Sequence, residues 1–161
     1  MRRTLSVLVQ NETGVLSRIS GLFSGRGFNI ESLTVAPTLD TDFSRITIVT
    51  AGDDKVIEQI SKQLNKLINV IKVIDVTGSD SIDRELVLVK VSARQEDRSE
   101  ILRIAEIFGA QIVDVSPKTY TIEAIGDEIK IKSIIELLRP IGIKELVRSG
   151  KVAISREMQL V

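Results

Sequence analysis

The sequence predicts an α+β fold made of two tandem ferredoxin-like βαββαβ domains, on three observations. Apolar residues alternate in short runs and recur at helical spacing in longer ones, in the order strand, helix, strand, strand, helix, strand. After the small, polar stretch GSDSID at 78–83 the same order restarts. Both halves have to be packed with aliphatic side chains, because 43% of the 161 residues are hydrophobic but only 3% aromatic, with no Trp. The expected division is a first ferredoxin-like domain over 1–77, a linker at 78–83 and a second ferredoxin-like domain over 84–161.

Residues 3–10 read as the first strand, with Leu5, Val7 and Val9 on one face and Leu8 making the other partly apolar, as in a strand inside a sheet. Val15, Leu16, Ile19, Leu22 and Phe23 predict a helix over 14–25, and SGRG at 24–27 ends it with glycine. FNIESLTVAP and SRITIVTA form two antiparallel strands across the polar loop TLDTDF, and the alternation slips at Glu31 and Ser32, as at a bulge. Asp53 is a natural N-cap for the next helix, whose stripe is Val56, Ile57, Ile60, Leu64 and Leu67. VIKVIDVT completes the first set. In the second half RELVLVKVSA, AQIVDVS and TYTIEAIG are strands, DRSEILRIAEIFG is a helix, and a further helix is opened by Asp127 and closed by Pro140. A last strand or short hairpin surrounds Gly150. Helices on one face of each sheet leave the other face and the edges needing cover, which predicts a partner, most simply a second copy of the chain.

Composition excludes whole classes of chemistry. With no Cys and no His, the chain has no disulfide, thiolate nucleophile, imidazole base or ordinary zinc site. Basic and acidic residues balance at 22 each, and residues 1–76 hold nine against eight, so neither half offers the basic surface that nucleic acid requires. No apolar run approaches the roughly 20 residues of a membrane span, and the N-terminal one is too short for a signal peptide; the expected compartment is the cytoplasm. The glycines at 21, 25 and 27 make no phosphate loop. Asp40 with Asp42, and Asp53 with Asp54, are expected to solvate a loop and start a helix rather than hold a cation.

The strand–helix junction NETGVL is the candidate site. The first-turn amides of a helix lack intrahelical partners and carry partial positive charge, so a carboxylate is attracted there. Gly14 either lets such a group approach the backbone or relaxes a tight turn, and Asn11 either orients a ligand or forms an Asx-turn. Asn29, between Phe28 and Ile30 at the start of a strand, is either exposed or aimed at something specific.

LSVLVQNETGVLSRISGLFSGRGFNIESLTVAPT resembles the opening of an ACT domain. RGFNIESLTVAPT with SRITIV, and RELVLVKV, EIFGAQIVDVSP and VRSGKVAISR in the second half, closely resemble the small regulatory subunits of acetolactate synthase (acetohydroxyacid synthase). This resemblance implies a non-catalytic regulatory subunit that activates a large catalytic subunit and confers feedback inhibition by branched-chain amino acids, usually valine. It implies an effector held between two paired ACT domains of a homodimer, by Asn11, Gly14, Val15 and Leu16 of one copy and Asn29 and Ile30 of the other. Thiamine diphosphate, FAD and magnesium would belong to the catalytic partner, leaving this chain without cofactor, metal or catalytic residues. A stand-alone amino-acid sensor or transcription regulator is the rival reading, and the lack of basic clusters counts against it.

Overall fold

A computed structural model describes every residue except Ser79 and residues 158–161. The elements are β1 (Arg2–Gln10), α1 (Val15–Gly25), β2 (Ile30–Pro37), β3 (Phe43–Ala51), α2 (Asp54–Asn65) and β4 (Val70–Asp75), then β5 (Ser81–Ser92), α3 (Arg98–Ile107), β6 (Gln111–Val115), β7 (Thr119–Gly126), α4 (Glu128–Leu138), β8 (Ile143–Arg148) and β9 (Val152–Ser155). They form two compact units, one of Met1–Ile82 with the stretch from Lys151 onward, the other of Asp83–Gly150. The α+β class and the repeated βαββαβ order agree with the sequence reading.

In the first unit the sheet order is β2-β3-β1-β4, all neighbours antiparallel. Alternation sends Leu5 and Val7 of β1, level with Ile48 and Ile46 of β3, to one face. There they meet Val15, Ile19 and Phe23 of α1 and Ile57, Ile60 and Leu64 of α2 in one buried cluster. Phe23 and Phe28 of this core stack edge-on, their rings 6.4 Å apart at 79°. Asp53 caps α2 as expected, accepting from the Val56 amide at 2.9 Å.

The second unit repeats the winding as β6-β7-β5-β8. Val87, Val89 and Val91 pack with Ile122 and Ala124 against Ile101 and Ile104 of α3 and Ile131, Ile134 and Leu138 of α4. Asp127 caps α4 through the Lys130 amide, 2.9 Å. Even the irregularities recur at matching places: the ladder slips between Ile30 and Ser32 and between Ile112 and Asp114, and again at Leu8/Val9 and Lys90/Val91. The slip read from the sequence at Glu31 is therefore a genuine bulge.

Three boundaries differ from the sequence reading. β5 begins at Ser81, so half of the expected linker is strand. No hairpin forms around Gly150: β9 pairs with β5 rather than β8, and Gly150, at φ +86°, redirects the chain. The stretch from Lys151 belongs with the first unit and not with the second half. Within that unit Thr34 Oγ1 donates to the Lys151 carbonyl at 3.3 Å and the Arg156 amide to the Asp80 carbonyl at 2.7 Å. The sheet face turned away from α1 and α2, expected to await a second chain, is crossed by a piece of this one. Four residues of VAIS fix a strand but carry no local signal of where it docks.

Candidate functional site

β1 ends at Gln10 because Asn11 leaves the ladder and bonds sideways. Its amide N–H donates to the Asp42 carbonyl at 2.7 Å and its Nδ2 to the Thr41 carbonyl at 2.9 Å, so the turn into α1 is tied to the β2–β3 loop. Asp42's own amide donates to Asp40 Oδ1 at 3.0 Å, so this acidic pair shapes the loop. Among the described residues no group of three acidic side chains stands close enough to hold a metal ion.

Gly14 is the N-cap of α1 at φ +88° and ψ −8°, and its carbonyl accepts from the Arg18 amide at 3.0 Å. A left-handed φ favours glycine for backbone reasons, yet a Cβ built there meets nothing within 4 Å. The positive φ accounts for a glycine as backbone punctuation, and the space over it is open. Unlike α2 and α4, α1 has no side-chain cap and no acid in its first turn. The Val15 amide makes one long contact, 3.4 Å, with the Glu12 carbonyl, while the Leu16 and Ser17 amides have no acceptor among the described residues. An open, uncapped N-terminus of this kind attracts a carboxylate. Val15 itself packs into the core, so what it offers outward is its backbone; Leu16, 42% exposed, offers its side chain.

Asn29 and Ile30 are elsewhere in the same chain. Asn29 is exposed, with its carbonyl accepting from Thr50 Oγ1 at 2.6 Å, and Ile30 is half-buried against the core. Ile30 is level with Thr50, and Thr50 with Arg3, whereas Gln10 is level with Phe43. Seven residues of β1 separate those levels, about 24 Å of strand. One chain therefore holds the two halves of the expected site at opposite ends of its sheet.

Asn69, which the sequence reading passed over, anchors the turn from below. It is buried at the α2–β4 junction, its carbonyl accepts from the Gln10 amide at 2.9 Å, and its Oδ1 accepts from Arg18 Nη1 at 2.7 Å. Its Nδ2 donates to Gln10 Oε1 at 2.9 Å and Glu12 Oε2 at 3.0 Å. An uncharged polar residue in the run LINVIKVI, whose only other polar member is Lys72, was the available signal.

At the other end of β1, Arg3 bonds Asp54 at 2.7 Å and Asp75 through Nε at 3.2 Å. Burial alone would raise the Asp75 carboxyl; hydrogen bonds from the Thr77 hydroxyl, from Arg3 and from the Thr77 amide together outweigh it and hold the group below its ordinary value.

A βαββαβ unit with this strand order and a glycine turn into an uncapped first helix defines a domain of the ACT type. Residues 5–72 match the family described as an AHAS small subunit-like ACT domain, and residues 84–157 the family described as the small subunit of acetolactate synthase. A probable acetolactate synthase small subunit of Archaeoglobus fulgidus is 56% identical over 156 residues, covering 97% of this chain and 98% of the relative. An acetolactate synthase small subunit of Haemophilus influenzae is 53% identical over 157 residues, covering 97% and 96%. Among solved structures, the acetolactate synthase small subunit of Thermotoga maritima superposes with a TM-score of 0.90 at 39% identity over 99% of both chains. The chain belongs to the acetolactate synthase small-subunit family.

Proposed function

We propose that the chain is the non-catalytic regulatory subunit of an acetolactate synthase, raising the activity of a large catalytic subunit and making it sensitive to branched-chain amino acids. Its family and its relatives' names support the regulatory role. The effector reading rests on one observation: the two halves of the site lie at opposite ends of a sheet whose free edge is β2. Antiparallel pairing of two β2 edges about a two-fold axis sets Asn29 and Ile30 of one copy beside the Asn11–Leu16 turn of its partner. The Leu16 and Ser17 amides then receive the effector carboxylate, Asn11 and Asn29 supply oxygens to its ammonium, and Leu16 and Ile30 enclose a short branched side chain. Among the described residues Asn11 Oδ1 has no donor of its own, which leaves it free for that role.

Valine bound between copies biases how they pack, and a catalytic subunit that prefers one packing feels the bias as a coupling of about 1–3 kcal/mol. Thiamine diphosphate, FAD and magnesium are assigned to that partner, and the complex to the cytoplasm. The decisive experiment combines sedimentation of the full chain with and without valine and assay of the co-purified complex. Valine should tighten the dimer and inhibit the complex; valine that binds while leaving the dimer unchanged places the effector elsewhere.

A further inference from the structure

On the sheet face away from α1 and α2, a cleft of about 470 Å³ lies between the strands and the returning segment Ala153–Glu157. Ser6 and Leu8 of β1 point into it by alternation, since the residues alternating with them, Leu5, Val7 and Val9, are in the helix-side core. Leu8 is level with Arg45 on β3 and Lys72 on β4, and Ser6 with Ile74, so all five share this face. Ile154 and Ser155 form the roof.

Four charged side chains, Arg45, Lys72, Arg156 and Glu157, line the cleft. Arg45 is half-buried, and its one hydrogen bond among the described residues is from Nη1 to Ser6 Oγ at 3.1 Å. Asp40, in the neighbouring hollow that Arg45 also borders, makes no ion pair with it. A guanidinium taken partly out of water, with most of its donors unused, is stabilised by a planar anion that accepts two of them. Ser6 Oγ, already accepting from Arg45, keeps its own hydrogen to donate, and Ser155 brings a second hydroxyl. Leu8, Ile74 and Ile154 add an apolar wall sized for a few carbons.

We propose that this cleft binds a small monocarboxylate with a short apolar body, its carboxylate on Arg45 and Ser6. The site is separate from the proposed amino-acid site, because it lies on the opposite face of the sheet from α1. Because one wall is the returning segment, a bound acid braces that segment against the sheet, a second input that does not depend on pairing between copies.

Calorimetry of the full chain with isobutyrate, isobutyramide and inorganic phosphate tests the chemistry. Isobutyrate should bind saturably, the uncharged amide about tenfold more weakly or worse, and phosphate more weakly than isobutyrate. Arg45→Gln should weaken isobutyrate about tenfold or more, while saturating valine leaves isobutyrate affinity unchanged. Since Arg45→Gln also removes the bond to Ser6, amide NMR of the unaltered chain gives a reading free of any substitution: isobutyrate should shift Ser6, Arg45 and Ser155 and leave Leu16 and Ser17. No saturable isobutyrate heat, unchanged binding in Arg45→Gln, preference for phosphate, or shifts confined to Leu16 and Ser17 would each overturn the proposal. Valine binding by Arg45→Gln reports separately on the effector site.

Discussion

Arg18 on α1 donates from Nη1 to Oδ1 of Asn69 at 2.7 Å, and Asn69 also holds Gln10 and Glu12, so one buried amide joins the strand and the helix on either side of the Asn11–Leu16 turn. Asn69→Ala leaves three polar side chains without this partner and should cost about 1–3 kcal/mol in denaturant unfolding. Asn69→Asp keeps an acceptor for Arg18 but sets a carboxylate against Glu12. Adding Glu12→Gln turns that repulsion back into a hydrogen bond, so the double variant should recover stability and valine affinity relative to Asn69→Asp. Equal valine affinity in all four proteins would show that the clamp does not position the turn.

Gly14 separates two effects that a single substitution would blur. At φ +88° any L-residue is strained, so Gly14→Ala should lose about 1–2 kcal/mol despite the open space, and Gly14→Asn less, since Asn tolerates this region better. Gly14→Asp carries the same strain, partly offset by about 0.3–1 kcal/mol from an acid at the helix start. Its carboxylate stands where the effector's should lie. Calorimetry should therefore show valine binding weakened far more in Gly14→Asp than in Gly14→Asn.

Asp75 makes the first unit sensitive to acid. Its carboxyl is held below the ordinary value in the fold, so the stability it contributes is fully present above the unfolded value near pH ~4 and is lost as pH falls through the folded value. Asp75→Asn should be less stable than the natural chain at neutral pH by no more than about 1 kcal/mol, because the side chain is partly solvated. Below pH ~4 the two unfolding curves should converge. A difference that stays constant from neutral pH to acid would remove Asp75 from the acid response.

What the sequence made legible was everything governed by local period. Val15, Ile19 and Phe23 gave α1 its stripe, Asp53 and Asp127 gave α2 and α4 their caps, and the slip at Glu31 gave β2 its bulge. Gly14 was legible as a special position, but the sign of its φ was not, since glycine is used both for left-handed turns and for close approach. Asn69 escaped because its partners, Gln10, Glu12 and Arg18, are more than fifty residues away in the chain. The destination of β9 escaped for the same reason: pattern identifies a strand, and only tertiary packing selects the surface it covers.

That destination changes what a fragment ending at Thr77 should do. Alternation alone assigns it a complete element set, with Thr77 Oγ1 still present to accept from the Thr4 amide at 2.9 Å. The fragment lacks Lys151–Glu157, however, and with them the partner of Thr34 Oγ1 and the roof over Ser6 and Leu8. Leu8, 7% exposed in the full chain, then borders solvent, at an expected cost of about 1 kcal/mol or more. The fragment should fold but unfold at lower denaturant than the same unit in the full chain, and a synthetic peptide of residues 150–157 added in excess should raise its melting temperature through binding to the native form. Valine, whose proposed contacts all precede residue 31, should still bind it. A fragment as stable as the unit in the full chain and indifferent to the peptide would mean that the returning strand adds nothing to the face it crosses.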